Sequence, residues 1–95
     1  MKVIWVAAAL DDLTNIQEYI AVDDPQAARK LLGRILDIVE THLAATPHVG
    51  RPGRVDGTRE LVIPGTPFIV PYRVKDRTIQ ILRVYHSARK WPEAF

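Results

Sequence analysis

The chain has 95 residues, is 47% hydrophobic and carries no cysteine and a net charge of +2. One domain spanning residues 1–95 is expected. A chain this short buries roughly 60–65% of its unfolded surface, and its apolar content excludes a disordered segment. The lack of cysteine excludes disulfides, thiolate chemistry and cysteine zinc sites. No apolar run reaches the ~18–20 residues of a membrane span, and the first strand-like segment is too short for a signal peptide, so a soluble cytoplasmic protein with no membrane association is expected. The charge is unevenly spread: residues 1–45 hold four basic and seven acidic groups (−3), and residues 46–95 hold nine and four (+5). Seven of those nine are arginines, whose planar forks suit carboxylates and phosphates, so the C-terminal half predicts either an acidic partner or a solvated basic face.

In chain order, Lys2–Val6 (KVIWV) predicts a short strand. From Ala7 the period changes: Leu10, Leu13, Ile16, Tyr19 and Ile20 recur every three or four residues, as in an amphipathic helix. Asp11, Asp12 and Glu18 fall off that stripe, the first two in the opening turns, where the helix dipole favours negative charge. DDP at Asp23–Pro25 predicts a helix start, with Asp24 as cap and Pro25 in the first turn. A second helix follows from about Pro25 to Ala44, with its apolar face on Ala28, Leu31, Leu32, Ile35, Leu36, Val39 and Leu43. The short link predicts an antiparallel helical hairpin. Gly33, inside the second helix, marks either close packing against a neighbour or simple tolerance of a residue that costs up to ~1 kcal/mol there.

Thr46–Gly57 (TPHVGRPGRVDG) predicts a loop. TRELVI, FIVPYRV and RTIQILRVYH then predict three strands, joined by turns at PGTP and Lys75–Asp76, in an antiparallel meander. Pro71 cannot donate to a ladder, so it requires an edge or a bulge. The expected architecture is α+β, in the order β-α-α-β-β-β, with the helical hairpin packed on one face of an antiparallel sheet.

Candidate chemistry is sparse. His42, His48 and His86 lack metal-ligand spacing, so neither a metal nor another cofactor is expected. GRPGR at Gly50–Arg54 lacks the lysine and the helix of a phosphate loop. Ser87 beside His86 does not make a nucleophilic triad. Metal-free RNA cleavage needs a base, an acid and cations for the phosphorane charge, and Arg59, Glu60, Arg73, Arg83, Tyr85 and His86 hold the right groups. Strand alternation, however, puts Arg83 and Tyr85 on one face and His86 on the other.

Three segments, VIWVAAALDDLTNIQEYIAVDDPQAARKLLGRI, RPGRVDGTRELVIPGTPFIVPYRV and IQILRVYHSARKWP, together resemble the RelE/ParE superfamily of bacterial type II toxin–antitoxin toxins. The resemblance covers nearly the whole chain and is closest to the ParE branch. It implies the RelE/ParE-like fold, a cognate antitoxin forming a hetero-oligomer with the toxin, and inhibition of DNA gyrase without an enzymatic step. It also implies an alternative, the ribosome-dependent mRNA endoribonuclease activity of RelE, and a further one, a non-toxic binding module on the same fold. RelE-type nucleases carry an arginine just after the aromatic that Phe68 matches; here that position is Ile69. TRELVI also lacks the lysines of the preceding nuclease strand. The gyrase reading predicts target or antitoxin contacts at Arg59, Arg73, Arg83, Arg89, Lys90 and Trp91. The nuclease reading assigns acid or base work to His86 and phosphate contacts to Arg59 and Arg83. Surface ion pairs for the arginines, and a hydrophobic plug over the sheet edge for Trp91, are the competing roles.

Overall fold

The computed structural model describes residues 1–95. Strand β1 (Lys2–Trp5) leads through Val6 into helix α1 (Ala7–Ala21). Helix α2 (Pro25–Asp37) follows a short turn, and the helical path continues as a π-helical turn over Ile38–Leu43. Asp24 caps α2 as its sequence requires, accepting from the Ala27 N–H at 3.1 Å, with Pro25 at the first position. Its side chain satisfies one of the amides that a helix start leaves free. Five strands complete the chain: β2 (Arg51–Pro52), β3 (Arg59–Val62), β4 (Phe68–Lys75), β5 (Thr78–Ile81) and β6 (Tyr85–His86).

The sheet runs β1-β5-β4-β3-β2, with β6 pairing the start of β4. The β3, β4 and β5 meander is antiparallel as expected. The sheet as a whole is mixed, because β1 pairs with β5 in parallel. The α1–α2 excursion lies between β1 and the meander in the chain, which permits such a crossover. Asp76 and Arg77 both have positive φ, 53° and 57°, which is the geometry of a type I′ hairpin turn between β4 and β5.

Strand alternation sets the layers. Phe68, Val70 and Tyr72 of β4 point to the helices and pack with Leu13, Ile35, Val39 and Leu43. Ile79 and Ile81 of β5 share that face. Each large side chain fully buried here contributes roughly 1.5–3 kcal/mol relative to exposure. Ile69, Pro71 and Arg73 point to the opposite face.

Two expectations from the sequence are corrected. Asp11 and Asp12 lie beyond the first turn of α1, which holds no acidic residue, and Asp12 is buried rather than solvated. RTIQILRVYH is not one strand: it breaks at residues 82–84. Pro71 accounts for part of the break. Its carbonyl accepts from the Leu82 N–H at 3.0 Å, so its missing donor faces the same side and has no ladder bond to offer there. Gly33 has nothing within 4 Å of a built Cβ, so close packing does not explain it and tolerance does.

Candidate functional site

The face of the sheet away from the helices gathers Arg54, Arg83, Arg89 and Lys90 with Tyr85, Trp91 and Phe95. β6 places Tyr85 opposite Ile69 of β4. Tyr85 would stand open on that face, yet it is only 2% exposed, because side chains from several segments close over it. Trp91 meets its ring edge-on at 5.2 Å between centroids, and Phe95 lies at 6.1 Å. The guanidinium carbons of Arg83 and Arg89 stand 4.7 and 4.3 Å from its centre, and that of Arg54 lies 4.2 Å from the Trp91 ring. Guanidinium groups over aromatic faces are attracted by the ring quadrupole. Arg83, Arg89, Lys90 and Trp91, all anticipated from the sequence, therefore meet around one buried tyrosine and line one open cleft.

Two buried carboxylates organise these cations. Asp12 accepts from Arg83 Nε at 2.7 Å and Nη2 at 2.9 Å, and from the Val84 N–H at 2.9 Å. It ties α1 to the broken strand, and this hydrogen bond holds Arg83 even more firmly protonated than an ordinary arginine. Glu60, 2% exposed, accepts from Arg51 Nη2 at 3.0 Å and from the Arg54 N–H at 2.7 Å, and Arg54 Nε lies 3.5 Å from it. The basic loop before β3 is thus clasped onto the sheet and aims Arg54 at Trp91. Sequence reading missed Asp12 as an anchor. Its place four residues before Ile16, on the flank of the apolar stripe, was the available signal.

The other anticipated residues lie elsewhere. Arg59 pairs opposite Tyr72 on the helix side of the sheet. Its Nη1 donates to the carbonyls of His48 and Gly50 at 3.1 and 2.8 Å. Tyr72 secures the same loop by donating to the Pro47 carbonyl at 2.8 Å and accepting from the Gly50 N–H at 2.9 Å. Burial raises the Tyr72 pKa above its ordinary value. A Cβ on Gly50 would stand 2.6 Å from the Tyr72 hydroxyl, so this close approach requires glycine. Arg73 opens onto the far face and one sheet end, and its Nε is buried without a partner. His86 is opposite Phe68, meets it edge-on at 5.8 Å and faces the helices. There it borders a groove of about 590 Å³ lined by Ile16, Tyr19, Ile20, Leu31 and Phe68 among others.

The nuclease trio is therefore not brought together. His86 faces the helix-side groove, Arg59 is spent on loop carbonyls, and Arg83 is paired with Asp12. Ile69, at the position where nuclease relatives carry arginine, is 5% exposed and packed opposite Tyr85. No cluster of three His, Asp or Glu residues could hold a metal ion, and no helix is long and apolar enough to cross a membrane.

The chain matches the family described as ParE toxin of the type II toxin–antitoxin system, parDE, over residues 3–91. It is 44% identical over 92 residues to the putative toxin Y4kP of Sinorhizobium fredii, covering 97% of this chain and 94% of the relative. To toxin RelE2 of Caulobacter vibrioides it is 34% identical over 88 residues, covering 93% and 97%. Among solved structures, a chain of the chromosomal ParDE system from P. aeruginosa superposes with a TM-score of 0.79 at 35% identity, covering 90% of this chain and 95% of that one. A chain of the RelBE2 toxin–antitoxin complex from Mycobacterium tuberculosis gives 0.68 at 27%, with the same coverages. Fold and sequence agree along nearly the whole length: the chain belongs to the ParE toxin family of type II toxin–antitoxin systems.

Proposed function

We propose that the protein is a bacterial cytoplasmic toxin that inhibits DNA gyrase by docking through its arginine-rich sheet face, and that a cognate antitoxin silences it in a hetero-oligomer. The observation that carries this reading is the arrangement around Tyr85. Arg83 and Arg89 lie on the Tyr85 ring, and buried carboxylates hold Arg54 and Arg83. Such a surface is pre-organised, so little side-chain entropy is lost when its forks engage acidic groups. It lacks a neighbouring acid–base pair, as a stoichiometric inhibitor permits. The antitoxin is assigned to the helix-side groove, whose rim includes Tyr19 at 83% exposure, with Val22 at 82% nearby in sequence. Covering such apolar surface stabilises the toxin as well as silencing it. The test is a gyrase supercoiling assay with purified toxin, alone and after addition of antitoxin. Loss of supercoiling that antitoxin restores is expected; undiminished supercoiling at high toxin excess rejects the reading.

A second reading, ribosome-dependent mRNA cleavage, draws on the 34% identical relative named toxin RelE2. Primer extension on a translated message separates the two: codon-associated cuts favour the nuclease. Harmless expression without antitoxin would instead favour a non-toxic binding module.

A further inference from the structure

The same face carries a device that the docking role does not require. Beyond Arg89 the chain has no regular structure. Ser87 donates to the Pro67 carbonyl, Ala88 to His86 Nδ1 and Arg89 to the His86 carbonyl. From Lys90 to Phe95 there is no hydrogen bond to the rest of the protein. This segment is held by rings alone: Trp91 and Phe95 on Tyr85, and Arg54 on Trp91. The only two buried side-chain nitrogens without a partner in the whole chain are Trp91 Nε1 and Arg73 Nε. Trp91 belongs to this segment, and Arg73 borders a cavity that Phe95 helps to line. Docking the segment therefore leaves the Trp91 donor desolvated without compensation. A segment with few backbone bonds and an uncompensated donor belongs to the low-stability end of a structure.

We propose that Lys90–Phe95 is a removable strap, hinged at His86–Arg89, that occludes the cationic face in the free protein. Closed, it caps Tyr85 and flanks Arg83. Open, it presents Arg83, with Arg54, to an acidic polypeptide. A polypeptide fits better than a nucleic acid because Tyr85, the ring left on the open face, is already engaged by Arg83 and Arg89 and is not free to stack on bases. The proposal rests on the docking reading only for what the open face admits; the opening itself is measured without any target.

The test follows the Trp91 indole N–H by hydrogen exchange in the intact chain, with the Trp5 indole and core amides of β4 as references. Exchange of the Trp91 indole is expected to be insensitive to low urea, as for local opening, while the core amides exchange only through global unfolding. Arg54→Gln, which removes the cation from the ring, should speed it roughly threefold with core exchange little changed. Trp91 exchange that tracks the core amides at every urea concentration overturns the strap. For occlusion, binding of a polyglutamate peptide at low salt is compared between the parent and Trp91→Ala. Tighter binding by the variant is expected, whereas equal or weaker binding overturns occlusion. Tightening seen only with a single-stranded oligonucleotide overturns the choice of partner. Each of these results stands apart from the supercoiling assay, so the strap and the gyrase reading fail separately.

Discussion

At the residue scale, Asp12 and Tyr72 show how polar groups hold this small core in register. The Asp12 carboxylate satisfies three donors, and its removal would leave the Val84 N–H and the Arg83 guanidinium without their partner. Breaking a largely buried pair is costly because the remaining charge stays desolvated. Asp12→Ala should therefore destabilise by about 2–4 kcal/mol in urea denaturation. Tyr72 gives a pH signature. Its folded pKa is raised by burial, so its contribution is fully present below the unfolded value, near 10, and is lost as pH rises from there through the folded pKa. Tyr72→Phe should cost about 1–2 kcal/mol at neutral pH by leaving the Pro47 carbonyl and the Gly50 N–H unpaired. It should also flatten the fall in stability above pH ~10, measured by urea melts across that range. The sequence marked Asp12 only by its place beside the apolar stripe, and it gave no sign of the role of Tyr72, whose partner is a loop 22 residues away.

At the element scale, periodicity located both helices, because burial on one face imposes that period on the residues, and the cap and turn residues located the Asp24 helix start and the meander. What these could not show was long-range geometry. The parallel pairing of β1 with β5 joins segments more than 70 residues apart, and nothing local encodes it. The break in the last strand has a partial local cause in Pro71, which the sequence flagged as a bulge or edge, but the proline lies in the neighbouring strand rather than in the one that breaks. Gly33 separates propensity from packing. With open space around its Cβ position, Gly33→Ala should stabilise α2 by roughly 0.5–1 kcal/mol. That corresponds to a rise in thermal midpoint of about 2–8 °C for a domain of this size, readable by calorimetry. No rise would contradict the reading of Gly33 as a merely tolerated helix residue.

At the scale of the whole molecule, the two faces of the sheet carry different chemistry. The helix side presents an apolar groove with Tyr19 on its rim; the far side presents ordered arginines. Charge asymmetry between the chain halves announced the second, and the helix stripes announced the first. The sequence could not say that Arg59 leaves the arginine cluster to hold the His48–Gly50 loop, since that depends on the β3 register. Tyr19→Glu should leave stability within about 0.5 kcal/mol, as for an exposed site, and should weaken antitoxin binding at least roughly tenfold, since exposed tyrosines commonly anchor interfaces; titration calorimetry checks this. The central claim is that the arginine face meets gyrase. Its most direct test is the toxin concentration that halves gyrase supercoiling, measured for the parent and for the doubly substituted Arg89→Glu, Lys90→Glu chain. Both residues are exposed, so the substituted chain should fold normally. Reversing two interfacial charges should raise that concentration roughly tenfold or more; equal potency of the two proteins would contradict the account.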